Sequence, residues 1–256
     1  MTEEATVLTN DVDGVLIITI NRPKAKNAVN LSVAQGIAAA LDRLDNDDAL
    51  RVGVLTGAGG TFCAGMDLKA FVSGEFPQIE GRGFGGMTER SADKPLIAAV
   101  EGYALAGGCE LAIACDLIVA AENAKFGIPE VKRGLVAAAG GLVRLPSQIP
   151  YRVAMELALT GEFMGAERAM SMGLINQLTA PGDALATARS LAAQIAENGP
   201  MAVRVSKAII KASRDWSGDE TFTNQHALTQ PVFTSEDAIE GATAFAEKRK
   251  PEWKGR

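Results

Sequence analysis

Aromatic residues make up only 5% of this 256-residue chain. Its 47% hydrophobic content therefore comes mainly from Ala, Val, Ile and Leu, which suit packed α/β layers. Histidine is almost absent. Any Ser-His-Asp or Cys-His mechanism would have to use His226, the one copy present. It lies in a predicted late helix, far in sequence from the glycine-rich turns described below, and is expected to have no catalytic role. Cysteine is scarce too. Cys63, Cys109 and Cys115 form no C-x-x-C pair and are expected to be small buried hydrophobes, with no metal site. Their odd number, and an acidic start (Met1-Thr2-Glu3-Glu4) unlike a targeting signal, suggest a reducing cytoplasm. No run of about 18 apolar residues exists, so no membrane partner is expected. The net charge is −6 with no long basic block, which argues against nucleic acid. The phosphate-loop pattern G-x-x-x-x-G-K-[ST] is missing. A formal G-x-G-x-x-G at Gly81, Gly83 and Gly86 has no strand before it, so no dinucleotide cofactor is implied.

What is present is a repeated strand–turn–helix pattern. Residues 5 to 20 read as two strands around a turn at 11 to 14. Strands are predicted at 51 to 56, 96 to 100 and 116 to 121. A helix capped by Asn30 or Ser32 runs to about Asp45, with Val33, Ile37, Ala40, Leu41 and Leu44 on one face. Another spans 107 to 114. Such repetition implies right-handed parallel crossovers. From Gly140 the pattern turns helical, with predicted helices at 140–148, 151–159, 165–171, 183–198, 201–213, 218–229 and 235–247 and a break at Pro231. Residues 72 to 92 are glycine-rich and without periodicity, and are read as a mobile loop over a ligand pocket.

Two segments carry the chemistry. Gly57-Ala58-Gly59-Gly60-Thr61-Phe62-Cys63-Ala64-Gly65-Met66-Asp67-Leu68 and Glu101-Gly102-Tyr103-Ala104-Leu105-Ala106-Gly107-Gly108-Cys109-Glu110-Leu111 each follow a β-branched run and precede a predicted helix. Glycines there let bare backbone approach a ligand, and helix N-termini offer free N–H groups. Two such turns can aim two donors at one oxygen, as holding an enolate requires. Glu110 sits just inside the second turn, and Glu130 supplies a second carboxylate one helix and one strand later.

In these motifs, and from Ile20-Asn21-Arg22-Pro23 to Ala244-Phe245-Ala246-Glu247-Lys248, the chain resembles the enoyl-CoA hydratases of the crotonase superfamily. The resemblance implies an α/β spiral of β-β-α turns over residues 1–199. It implies a C-terminal helical region, 200–256, that builds a homo-oligomer, a trimer or a hexamer of paired trimers. It implies an acyl-CoA substrate with no further cofactor. Met66 and Gly107 would supply the oxyanion-hole amides, Glu110 would orient and deprotonate water for C3, and Glu130 would protonate C2. Lys24, Ala25 and Lys26, with Ala64, Asp67, Leu68 and Ala138, would line the CoA and substrate groove. Phe245 and Lys248 would reach the CoA of a neighbouring subunit. Asp67 is expected to hold the turn. Ala137-Ala138 stand where the hydratases carry Pro-Gly, which bears on substrate identity. The rival readings are 3-enoyl-CoA isomerisation, another crotonase-type dehydration, a non-catalytic acyl-CoA binder, an RNA-associated relative, and a serine peptidase on the same core. Both glutamates favour hydration; the acidic balance and the lone histidine count against the last two.

Overall fold

The computed structural model describes residues 5–256, so the acidic start at residues 1–4 lies outside it. A hairpin opens the chain: β1 (Val7–Val12) pairs antiparallel with β2 (Val15–Ile20). Helix α1 (Leu31–Asn46) follows, its first turn capped by the Asn30 side chain, which accepts from the Val33 N–H. Then come β3 (Val52–Gly57), the short α2 (Leu68–Val72), and a two-stranded hairpin of β4 (Gln78–Ile79) and β5 (Gly83–Phe84). The spiral continues through β6 (Leu96–Val100), β7 (Tyr103–Leu105), α3 (Gly107–Ala114), β8 (Leu117–Ala121) and β9 (Lys125–Gly127). Helices α4 (Gly141–Gln148) and α5 (Tyr151–Thr160), strand β10 (Met164–Gly165), helix α6 (Ala166–Ser171) and strand β11 (Gln177–Thr179) complete it. Four helices follow: α7 (Ala184–Ala196), α8 (Pro200–Ala212), α9 (Thr221–Phe233) and α10 (Glu236–Glu247).

The main sheet runs β1-β2-β3-β6-β8-β11 and is parallel from β2 onward. A smaller sheet, β10-β9-β7, stands beside it. Both faces of the main sheet are covered, so its central strands are apolar throughout rather than alternating. On one face Leu55, Leu96, Ala98, Val100 and Ala120 belong to the core cluster that includes α1 residues Ile37, Leu41 and Leu44. On the other, Val52, Val54, Ile97, Ala99 and Val119 meet α7. That helix presents Ala184, Ala188 and Ala192, spaced four apart on one stripe, so small side chains let it lie close to the strands.

Two local expectations are corrected, and four short strands are added. Only the second part of residues 72–92 departs from a loose loop: Phe84 and Met87 are buried in the core, while Val72 and Phe76 are exposed. Gly85 packs bare backbone on Leu111, and Gly86 on the Ala34 carbonyl and Ala38, so these glycines serve close packing rather than looseness. Helix α9 runs through Pro231 instead of stopping before it. The proline stands in the last turn, so its missing N–H removes only the bond to the Ala227 carbonyl, and two residues complete the helix after it. Strands β7, β9, β10 and β11 are two or three residues long, too short to show a period of two. The three cysteines are buried and free, as small hydrophobes. Burial pushes the Cys63 and Cys109 thiols up to about 12. His226 is exposed on α9.

Candidate active site

The first glycine turn leaves β3 and is fastened by Asn27, whose fully buried amide donates to the carbonyls of Ala58 (2.8 Å) and Thr61 (2.5 Å). The chain then runs parallel to β7: Phe62 N donates to Glu101 O (2.7 Å), Cys63 N to Tyr103 O (2.8 Å), and Leu105 N to Cys63 O (3.0 Å). The two turns are thus hydrogen-bonded directly to each other. Gly65 O accepts from Val29 N (2.8 Å) and Asp67 N donates to Val29 O (2.9 Å). Backbone alternation therefore turns the Met66 N–H to the other side, where no acceptor among the described residues takes it.

The second turn ends in Ala106, held at φ 52° and ψ −130°, a region alanine rarely occupies. The Ala106 N–H is fixed by Gly127 O (2.9 Å). Gly107 opens α3, so its N–H has no carbonyl inside the helix to bond. A Cβ on Gly65 would stand 3.3 Å from that same nitrogen. One on Gly107 would stand 2.5 Å from the Phe84 ring, and one on Gly108 would overlap the Cys63 carbonyl oxygen. Only glycine lets the two turns approach this closely. The geometry leaves two unpaired amides, Met66 and Gly107, on adjoining turns.

Glu110 lies in the first turn of α3 and is only 3% exposed. Its Oε1 accepts from the N–H groups of Ala139 (2.7 Å) and Gly141 (2.8 Å). Oε2 has no partner among the described residues. Burial pushes this carboxyl upward, opposed by the two N–H donors and by the nearby Arg144 charge. Glu130 sits in the helical turn Pro129–Arg133, and its Oε2 is buried without a partner. Burial, opposed by its own backbone N–H and assisted by repulsion from Glu110, raises its carboxyl to about 7. The two carboxylates therefore feel each other, as a coupled acid–base pair must.

Both shifts have one sign, and it sets a pH dependence. A carboxyl raised from 4.5 to about 7 holds more protons folded than unfolded between those values. Its stabilisation is present below about 4.5 and is lost as pH rises through about 7. Stability should fall across that window, and Glu130→Gln, which never ionises, should flatten the decline. Urea midpoints measured from pH 5 to pH 8 check this.

Arg144 was not legible in the sequence. It stands on α4, one turn beyond Gly140, and donates to Ala139 O (3.3 Å) and to Thr88 O. It ties the 72–92 segment to the loop whose N–H groups hold Glu110. Only its spacing from the Gly140-Gly141 pair could have drawn attention to it. Ala137 is buried against Gly141, and Ala138 is exposed beside Ala139, so the departure at these two alanines adjoins the Glu110 cradle.

The groove residues fall in two groups. Lys24, Ala25 and Lys26 form a short turn; Lys26 O accepts from Ala64 N (3.0 Å), and its ammonium stands 5.5 Å above the Tyr103 ring. Asp67 caps α2, accepting from Lys69 N and Ala70 N, and pairs with Arg22 at 2.9 Å. Its burial acts upward, but Arg22 and the two amides outweigh it and hold the carboxyl below its ordinary value. Leu68 is exposed at the start of the same helix. These residues adjoin the first turn. Phe245, 87% exposed, and Lys248 lie instead on and just beyond α10, which packs on α9 and the C-terminal tail. Within one chain they are not joined to the turns. Among the described residues no cluster of His, Cys, Asp and Glu is placed to hold a metal ion, and no helix is long and apolar enough to cross a membrane.

Residues 10–256 match the family described as enoyl-CoA hydratase/isomerase. The crystal structure of an enoyl-CoA hydratase from Mycobacterium tuberculosis superposes with a TM-score of 0.97 at 62% identity, over 99% of this chain and 100% of that one. A carnitinyl-CoA hydratase from Mycobacterium avium gives a TM-score of 0.80 at 43% identity, over 99% and 100%. A carnitinyl-CoA dehydratase from Proteus mirabilis is 42% identical over 250 residues, 94% of this chain and 95% of that protein. The α/β spiral, its paired glycine turns and these matches together show that the chain belongs to the enoyl-CoA hydratase/isomerase, or crotonase, family.

Proposed function

We propose that this enzyme adds water reversibly across the double bond of a trans-2-enoyl-CoA. The observation that carries the reading is the meeting of two unpaired amides, Met66 and Gly107, beside two buried carboxyls with raised proton affinity. The thioester oxygen sits between the amides and takes up negative charge as the reaction proceeds. Glu110 uses its free Oε2 to take a proton from water while the water oxygen bonds C3. Glu130, protonated near neutrality, gives a proton to C2. The proton on Glu110 then returns to Glu130 through solvent, restoring both groups. Lys24 to Lys26, Ala64, Asp67, Leu68 and Ala138 border the CoA and acyl groove, and Lys24 and Lys26 offer cations to its phosphates. Phe245 and Lys248, exposed here, are assigned to the CoA of a neighbouring subunit in a trimer or hexamer. No metal or redox cofactor has a role in these steps.

Loss of the conjugated enoyl-thioester absorbance with crotonyl-CoA tests this directly. A carnitinyl-CoA substrate belongs in the same assay, because relatives of that name share over 40% of the sequence. A 3-enoyl-CoA that moves its double bond without gaining water would favour the isomerase. Binding without turnover of any of these would favour the non-catalytic reading.

Arg144 acts here as a positioning residue for Glu110, through the Ala139 loop and through its charge. Arg144→Gln should move the acidic limb of the kcat/KM profile upward, because the Arg144 charge holds the Glu110 carboxyl down, and should lower kcat more than it raises KM. Arg144→Lys should restore part of the shift. A variant that lost rate with an unmoved profile would show a packing role alone.

A further inference from the structure

A cavity of about 210 Å³ opens at the opposite end of the sheet from the glutamates. Arg51 stands just before β3 and Lys94 just before β6, so the cavity lies at the N-terminal ends of those strands. The glycine turns leave their C-terminal ends. Arg204 comes from α8, whose first residue, Pro200, is on the wall, and the positive end of that helix dipole adds to the field. The C-terminal tail closes the rim with Lys254 and Arg256. That tail is pinned: the Asp237 carboxylate accepts from the N–H groups of Lys254 (2.7 Å) and Gly255 (2.9 Å), and the Trp253 indole donates to Glu197 O (2.8 Å).

Five cations thus face one space in a protein whose net charge is −6. Asp48 is the one carboxylate side chain on the lining, and Glu236 pairs only with the rim residues Lys254 and Arg256. Arg51 and Arg204 have no acidic partner among the described residues. Lys94 is 5% exposed; its ammonium donates to Asp47 O at 2.7 Å, and burial together with the Arg204 and Arg51 charges, opposed by Asp48 and Asp45, drives its proton affinity down. Like charges gathered in a concave, partly dry site repel one another and raise the local attraction for an anion. Arg51 and Arg204 bring two guanidiniums to the lining, and a guanidinium can hold phosphate oxygens in a two-pronged geometry that a single halide cannot use. The cavity is too small for a nucleotide and large enough for a compact oxyanion.

We propose that this cavity binds a compact phosphate-class anion, pyrophosphate or the phosphate end of a small monoester, at a site separate from the active site. The inference does not depend on which acyl-CoA is turned over. Calorimetric titration at constant ionic strength with inorganic phosphate, pyrophosphate and glycerol 3-phosphate tests it. Pyrophosphate should saturate one site per chain and raise the melting temperature. Arg51→Gln and Arg204→Gln should each weaken it at least about tenfold, since each removes a charge-assisted pair. Arg256→Gln, at the exposed rim, should weaken it only a few-fold and leaves the fold untouched, so the test survives if a deeper variant fails to fold. The double variant Lys24→Gln/Lys26→Gln, at the other end of the sheet, should bind as wild type. Glycerol 3-phosphate binding as tightly as inorganic phosphate identifies a monoester; pyrophosphate alone identifies a phosphoanhydride. No saturation by any of the three at about 10 mM, a range where even weak charge-assisted sites fill, overturns the proposal. So does unchanged affinity in all three arginine variants, or loss in the Lys24/Lys26 variant instead.

Discussion

Glu130→Gln should lower kcat for enoyl-CoA hydration by about a thousandfold, and Glu110→Gln by a similar factor, while KM changes little. The amide is nearly isosteric with the carboxyl, so the pocket keeps its shape. At position 130 it removes the proton that C2 needs, because an amide N–H is far too weak an acid to supply one. At position 110 the amide oxygen can still accept from Ala139 and Gly141, so the loop stays fastened. What is lost there is the basic Oε2. Because the two groups work in one addition, the double variant should be barely slower than either single one. Steady-state kinetics with one enoyl-CoA across the four proteins checks this. Rates that multiplied, with the double variant near a millionfold down, would mean that the two carboxylates act independently and would break the acid–base pairing.

The second large effect is structural. Gly108→Ala should cost about 3 kcal/mol or more, because its methyl would enter the Cys63 carbonyl oxygen, which is backbone and cannot rotate away. For a chain of this size that corresponds to a melting temperature lowered by roughly 10 °C. The contact it breaks is the one that joins the two glycine turns, so activity should fall further than stability alone explains. Thermal unfolding of Gly108→Ala beside Gly60→Ala separates the effects. A Cβ on Gly60 meets nothing, and the cost there is only that of its positive φ.

The sequence made the large elements readable because their signals are long. Ile37, Leu41 and Leu44 recur at helical spacing on α1, and Val52, Val54 and Leu55 form an unbroken buried strand. The glycine turns were readable because each follows a β-branched run and Glu110 stands just inside the second. Short elements were not. Strands β7 and β9 take their shape from pairing with each other, as Tyr103 with Lys125 and Leu105 with Gly127, rather than from any local pattern. The glycines of residues 72–92 suggested looseness throughout, but Phe84 and Met87 anchor the part around Gly83 to Gly86, a tertiary effect that composition does not reveal. Arg144 escaped for the same reason, since its partners Thr88 and Ala139 come from two other segments. Phe245 and Lys248 remain exposed in the single chain, where motif resemblance assigned them a role that only a neighbouring copy could complete.

The most direct measurement runs the reaction in D₂O with crotonyl-CoA and follows the product by NMR and mass spectrometry. The account predicts a 3-hydroxyacyl-CoA carrying one solvent deuterium at C2 and the new oxygen at C3, formed by wild type and nearly lost in Glu130→Gln. Unchanged product formation by Glu130→Gln, or wild-type exchange at C2 with no oxygen added at C3, would contradict it.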